Sequence, residues 1–280
     1  IFYMGVNLGA TLSPLICGTL GDIYGYHYGF AAAGVGMLIG LTVYLLGQKH
    51  LAKDNLTRSK EQHTESAPLT PAQWKAIGAL VLLCLLNIVF WAVYEQQGNT
   101  LALFADANTD RHVLPFSSWE MPAAWFQSVN PIMIFALTPI INIVWTWQAR
   151  RGKEPTSVTK MAFGCILLGL AFIALMPSAH TVDAGRLASA WGLIGSIFVL
   201  TIGELYLSPV GLSLVSKLAP PRLVSMLMGM WFLSSFFGNY LSGYIGTYWE
   251  LMTKANFFWM LLAMAVGTGL VMFAFNKPLK

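Results

Sequence analysis

Charge is what this sequence has least of. Of its 280 residues 10% are Asp, Glu, Lys or Arg, while 56% are hydrophobic. A soluble domain carries about 25% charged residues, and a soluble chain this apolar could not cover its surface with polar groups. Cysteine is scarce as well. Cys17, Cys84 and Cys165 each lie within an apolar run, without a CxxC pair or a histidine at ligand spacing. That argues against a disulfide framework or a zinc site and leaves all three as small buried hydrophobes. There is no HExxH, no pair of aspartates in an apolar segment and no nucleophile beside a base, so the signatures of a membrane enzyme are missing. Neither a signal peptide nor an initiator methionine is visible. The chain opens at Ile1 inside an apolar run and is expected to be a piece of a longer protein.

What the sequence has instead is long uncharged stretches, and about 20 apolar residues cross a bilayer core. Eight are expected to be helical, over 1–21, 28–48, 72–105, 121–149, 157–177, 186–216, 222–248 and 254–275. The expected class is an all-α integral membrane protein in contact with the lipid bilayer. The third and fourth segments exceed what a bilayer needs and should tilt, kink or protrude. Pro14, Pro131, Pro139 and Pro209 predict kinks, and Gly5/Gly9 and Gly36/Gly40 have the GxxxG spacing that permits close helix approach. Trp119, Trp147 and Trp249 fit an interfacial aromatic belt.

The basic residues fall into two sets under this helix count. One set of loops and helix ends holds Lys49, Lys53, Arg58, Lys60, Lys75, Arg150, Arg151, Lys153, Lys160, Lys217, Arg222, Lys277 and Lys280; the other holds Arg111, Arg186 and Lys254. Thirteen against three, alternating without a break, makes the first set cytoplasmic by the positive-inside rule. The 49–71 linker and the C-terminus then face the cytoplasm and 106–120 faces outside. The net charge of +4 is accounted for without a nucleic-acid partner.

A charge at mid-helix costs roughly 2.5–3.5 kcal/mol on insertion scales. Of twelve acidic residues only Glu95 and Glu204 lie within the apolar segments. Glu204 is 18 residues from Arg186 and 13 from Lys217, near mid-membrane, with Ser208 one turn further on the same face. Glu95 is 20 residues from Lys75 and starts a polar run to Thr100, which has to line a cavity or pack on another bundle rather than face lipid. No Lys or Arg stands at depth in these segments, so a structural ion pair would need a partner from elsewhere, and an intramembrane acid without one points to a proton or substrate site. Asn7, between Gly5 and Gly9, and Asn130, beside Pro131, sit where the helix is weak. Trp91 and Trp231 lie too deep for the belt and suit the wall of a side-chain pocket.

Five segments carry a resemblance. IFYMGVNLGATLSP resembles the FYxxINxGS signature of the proton-dependent oligopeptide transporters, a branch of the major facilitator superfamily; FWAVYEQQGNTLALFA resembles its FWxxxEQxGS segment and FQSVNPIMIF its NP segment. GELYLSPVGLSLVSKLAPPRL and MGMWFLSSFFGNYLSG are similar to GELxLSPVGLSxVxKLAP and MGMWFLxxAxGNxLxG of the same family. The resemblance implies a major-facilitator-type bundle in which these eight helices match the fifth to the twelfth of twelve. Residues 1–48 would be the last two helices of the N-terminal bundle, 49–71 the linker and 72–280 the C-terminal six-helix bundle. It departs from the family pattern at Ala10, where serine is usual, and in a linker too short for the two extra helices of many prokaryotic members. The ExxERFxYY motif of the first helix is not in this chain, nor is the fourth-helix lysine.

The resemblance further implies import of di- and tripeptides with protons by alternating access in the inner or plasma membrane, with the missing N-terminal helices as partners. Asn7 and Asn130 would contact the peptide, Glu204 with Ser208 would face its amino group, and Trp91 and Trp231 would wall side-chain pockets. Glu95 would act in gating or proton coupling, as Glu204 would in coupling, and Tyr3 would line the cavity. No metal and no cofactor besides the coupling proton is expected. The alternatives are a transporter of a non-peptide solute such as nitrate or a drug and, more remotely, a channel or structural membrane protein.

Overall fold

The computed structural model describes residues 2–50, 69–112 and 119–275, with side chains from Gly5 onward. Helix is what apolar runs of this length adopt, because each backbone group then finds its partner within the same segment. Among the described residues the α-helices are α1 (Phe2–Ser13), α2 (Thr19–Tyr24), α3 (Tyr26–Gly47), α4 (Pro71–Tyr94), α5 (Thr100–Ala107), α6 (Phe126–Arg150), α7 (Ser157–Asp183), α8 (Ala190–Leu218), α9 (Val224–Gly246) and α10 (Lys254–Phe275). Two strands of two residues, β1 (Thr109–Asp110) and β2 (Ala188–Ser189), pair in parallel and tie the loop after α5 to the one before α8.

Each of the eight expected segments forms helix, the sixth only from Ala190 because Ala188–Ser189 pair as β2. Six stretches are long and apolar enough to cross a membrane, by length and composition: Tyr26–His50, Pro71–Ala107, Ala123–Arg150, Ser157–Asp183, Ala190–Leu218 and Lys254–Phe275. The first segment is divided by a π-helical turn at Pro14–Gly18, where proline lacks the N–H of the regular ladder. The other is α9, whose four serines, four glycines and one asparagine dilute its apolar content. The third segment breaks at Glu95–Gln97 into a 3-10 turn before α5 resumes. Pro131, Pro139 and Pro209 lie inside helices that continue past them.

Glycine sets the closest contacts, but not at the expected pairs. A Cβ on Gly5, Gly9, Gly36 or Gly40 would meet nothing within 4 Å. A Cβ on Gly164 of α7 would stand 2.7 Å from the Gly203 carbonyl of α8, and one on Gly203 2.8 Å from the Gly164 carbonyl. Gly169 and Gly269 play the same part between α7 and α10. Helix α7 is therefore wedged between α8 and α10, while α4 packs on α9 and α1 on α6. The Asp183 carboxylate at the end of α7 accepts from the Lys254 and Ala255 backbone N–H groups at 2.8 and 3.0 Å, capping α10.

Three further expectations are corrected. Trp249 is not a belt residue. It is 3% exposed, packs on Phe104, Phe257 and Phe258, and has the Lys254 ammonium 3.9 Å above its ring. Lys160, in the first turn of α7, is buried rather than solvated at the helix end. It pairs with Glu154 at 2.6 Å and lies 4.1 Å from the Trp145 ring centroid, so the carboxylate and the aromatic face replace the water it loses. Cys84 and Cys165 are buried, whereas Cys17 is partly exposed and lines a cavity. Most of the 49–71 linker and part of 106–120 lie outside the described residues.

Because a side chain at 203 would collide with backbone, Gly203→Val is expected to cost roughly 1–3 kcal/mol. Gly267→Val, where a Cβ meets nothing within 4 Å, should stay within about 0.5 kcal/mol. Thermal unfolding of the two variants in detergent measures the difference, and equal melting temperatures would remove the glycine contact as a determinant.

Candidate functional site

The site grows from the inward face of α8. Thr201, Glu204 and Ser208 follow one another at three and four residues, so they share a face, and Gly203 presses the opposite side of the helix against α7. Glu204 is 8% exposed and Thr201 is fully buried. A carboxyl in such a place needs donors, and two neighbouring helices supply them. From α4, the Tyr94 hydroxyl donates to Glu204 Oε2 at 2.7 Å. From α6, the Asn130 amide donates to the same oxygen at 3.0 Å and to Thr201 Oγ1 at 3.0 Å. Thr201 in turn donates to the Ile197 carbonyl at 2.7 Å, which fixes its lone pairs towards Asn130. Glu204 forms no ion pair among the described residues. Both donors are neutral.

The polar run after Tyr94 turns inward on its own bundle. Gln96 is fully buried and its Nε2 donates to the Ser242 carbonyl and hydroxyl of α9, each at 3.0 Å, while its Oε1 accepts from Thr100 at 2.8 Å. Asn99 donates to the same Ser242 carbonyl at 3.3 Å, and Gln127 of α6 donates to the Gln97 carbonyl at 2.8 Å. These lateral bonds replace the ladder bonds lost where the helix breaks at Glu95–Gln97. Glu95 is half-buried, meets the Asn239 side chain of α9 and lies within electrostatic range of Glu204.

The expected site residues fall into three groups. Asn130 and Glu204 are bonded to each other, and Ser208 lies half-buried one turn beyond. Trp91 joins them through Tyr94, edge-on at 5.3 Å, with its Cβ against Gly238 of α9 and its indole Nε1 buried without a partner. Asn7 is buried on α1, the helix whose Thr11 carbonyl accepts from Ser128 of α6 at 2.8 Å. Trp231 stands apart, 4% exposed and lying against Gly211 between α8 and α9, near the Asn87–Ser234 hydrogen bond of 2.7 Å. The Tyr3 side chain lies outside the described residues. Sequence reasoning missed Thr201 and Tyr94. The three-residue spacing from Glu204 was a usable signal for Thr201; only the packing of α4 on α8 reveals Tyr94.

With this geometry in hand, comparison with known proteins is decisive about kinship. The POT family matches residues 1–67 and 62–260. The chain belongs to the POT family. "Peptide transporter YePEPT" of Yersinia enterocolitica subsp. palearctica is 29% identical over 309 residues, covering 88% of this chain and 60% of that protein. A "Di-/tripeptide transporter" of Lactococcus lactis subsp. cremoris is 26% identical over 338 residues, covering 100% of this chain and 67% of its own length. A crystal structure of peptide transporter POT in complex with sulfate superposes with a TM-score of 0.84 at 28% identity, over 99% of this chain and 66% of that one. The chain thus spans about 60–67% of these POT proteins. These relatives are named as transporters and not as enzymes. With its apolar spans, the chain is an integral membrane protein of major-facilitator type.

Gln96 holds the break beside the site with both ends of its amide. Gln96→Leu keeps the bulk and leaves Ser242 and Thr100 without those bonds, at a cost of about 1–3 kcal/mol. Ser216→Ala, which removes a bond within an exposed face of α8, should stay within about 0.5 kcal/mol. Chemical or thermal unfolding in detergent compares them, and equal stabilities would mean the helix break does not depend on Gln96.

Proposed function

We propose that the whole protein takes up di- and tripeptides together with protons by alternating access. Glu204 carries this reading. It is a buried carboxyl without an ion pair among the described residues, held by Tyr94 and Asn130, in a chain of the POT family. A peptide's ammonium group is the cation such a carboxyl lacks, and a proton is the alternative that neutralises it. Exchange between the two is what couples substrate to proton, and differential occupancy then biases two arrangements of the helix bundles. In this reading Asn130 and Asn7 take the peptide backbone or a terminus, Ser208 lies beside the amine, Trp91 borders a side-chain pocket and Glu95 serves coupling or gating. Trp231, packed on Gly211, acts on a pocket through the α8–α9 contact.

The proposed division sets residues 1–48 apart from 72–280, joined by 49–71. Two observations support it. The family match comes in two stretches that meet at 62–67, inside that linker. The Lactococcus relative aligns over 338 residues to this chain of 280, so it carries additional residues within the aligned region. The membrane is the inner or plasma membrane of the cell, with the linker and C-terminus in the cytoplasm. No metal is required, and the proton is the coupling ion.

Glu204→Gln keeps the shape and removes the charge. In the whole transporter it should weaken binding of peptides with a free amino terminus roughly ten- to 150-fold, the equivalent of about 1.5–3 kcal/mol for a charge-assisted contact. An amino-terminally acetylated analogue has no ammonium to lose and should bind nearly as before. Competition binding of both ligands decides it, and equal losses would exclude amine recognition by Glu204.

The orientation has its own test. In a background with Cys17, Cys84 and Cys165 replaced by alanine, Asp110→Cys should react with a membrane-impermeant maleimide added to intact cells. Arg58→Cys should react only after the membrane is opened. The reverse pattern would invert the topology.

A further inference from the structure

Among the described residues both hydrogen bonds to Glu204 end on the same oxygen. Oε2 accepts from Tyr94 and from Asn130; Oε1 accepts from neither and is not among the buried polar atoms closed off without a partner. The carboxyl is therefore asymmetric. One oxygen is tied to the protein, and the residue's remaining 8% exposure leaves the other open to a ligand.

The two donors differ in how firmly they hold. Asn130 divides one amide nitrogen between Glu204 and Thr201. Tyr94 approaches at 2.7 Å, the shorter bond, and its ring is fixed by neighbours on its own helix. It stacks on Phe90 with centroids 5.8 Å apart and planes 15° off parallel, and meets Trp91 edge-on at 5.3 Å. An aromatic side chain pinned on two sides has few rotamers left, so its hydroxyl points where the packing directs it. The donor is also neutral. It can orient a carboxylate without discharging it, as a lysine or arginine in its place would. The titratable group nearest in sequence, Glu95, lies within electrostatic range of Glu204 and adds no cation.

We propose that Tyr94 is the positioning residue of Glu204: by holding Oε2 it turns Oε1 towards the substrate, where the ammonium group of an incoming peptide binds. The proposal rests on the reading of Glu204 as the amine-recognising group and assigns the work of orientation to a second helix. Substrate affinity then depends on α4 and α8 keeping their mutual register, which neither helix can secure alone.

A double-mutant cycle in the whole transporter tests it, with wild type, Tyr94→Phe, Glu204→Gln and the double variant compared by competition binding of a dipeptide with a free amino terminus. Removing one oxygen from Tyr94 should raise the dissociation constant about tenfold, the low end for a charge-assisted contact, and should raise KM more than it lowers the maximal rate. In the Glu204→Gln background the same change should do nothing beyond twofold, because there is no carboxylate left to orient. Equal losses in both backgrounds would mean that Tyr94 only packs, and would overturn the proposal. If Tyr94→Phe fails to reach the membrane, infrared spectra of ring-labelled tyrosine in wild type and Glu204→Gln serve instead. One phenolic C–O band should shift on removing the charge, and an unshifted spectrum would overturn the proposal. A coupled cycle with equal losses for free and acetylated peptides in Glu204→Gln would overturn the assignment of the ammonium to Oε1 and the amine reading with it, while an uncoupled cycle beside a selective loss for the free amine would overturn Tyr94 alone.

Discussion

A carboxyl group inside an apolar bundle has to be hydrogen-bonded or neutralised, because an uncompensated charge there costs several kcal/mol, a large share of the typical margin of folding stability. Much of this chain's architecture answers that requirement at Glu204. One oxygen draws Tyr94 from α4 and Asn130 from α6 to α8, so three helices separated by long stretches of sequence are registered against a single atom. Each bond is modest. Their joint effect is geometric, since the three helices satisfy one another only at one rotation and one height.

The back of α8 makes that placement possible. Gly203 immediately precedes Glu204, and successive helical residues point about 100° apart. The close approach of Gly203 to Gly164 presses one side of α8 on α7 and turns Thr201, Glu204 and Ser208 to the other. Helix α7 is held from behind by α10 through Gly169 and Gly269, and α10 is capped by Asp183 of α7. The polar site thus stands on close glycine contacts between α8, α7 and α10, with the Asp183 cap holding the far end.

How much of this the sequence disclosed depended on whether a property was local. Long uncharged runs are local, and each of the eight segments forms helix over most of its expected length. The two intramembrane glutamates are equally plain, because charge at depth is rare whatever the tertiary structure. Contacts between helices are not local. The GxxxG spacing at Gly5/Gly9 and Gly36/Gly40 marks a smooth surface but not what covers it, and glycines that do meet partners, such as Gly164 and Gly203, lie on different helices with no shared motif. Trp249 has the composition of a belt residue, and only the phenylalanines gathered around it reveal a core position. Tyr94 was invisible for the same reason: an aromatic residue in an apolar helix carries no mark of the carboxylate across the gap.

The first helices join the rest through a contact of a different kind. Ser128 donates to the Thr11 carbonyl at 2.8 Å, Trp125 donates to the Thr19 hydroxyl at 2.8 Å, and Ala124 lies against Gly18. A cavity of about 150 Å³ lies beside them, lined on one side by Cys17 and Asp22 and on the other by Asp106 and Arg111. Arg111 is paired within its own side, to Glu120 at 3.0 Å and Asp106 at 3.7 Å. No ion pair among the described residues crosses from α1–α3 to the later helices. The contact clusters at 11–19 on α1–α2 and 124–128 at the start of α6, while Val6 and Leu8 at one end of α1 and Ile143 and Trp147 at the far end of α6 are exposed. The hydrogen bonds of this contact are neutral, unlike the interlocked glycines of α7 and α8, which meet through backbone. These contacts are therefore of two kinds: interlocked glycines that hold the carboxyl's helix against α7, and neutral hydrogen bonds that join the first helices to the start of α6.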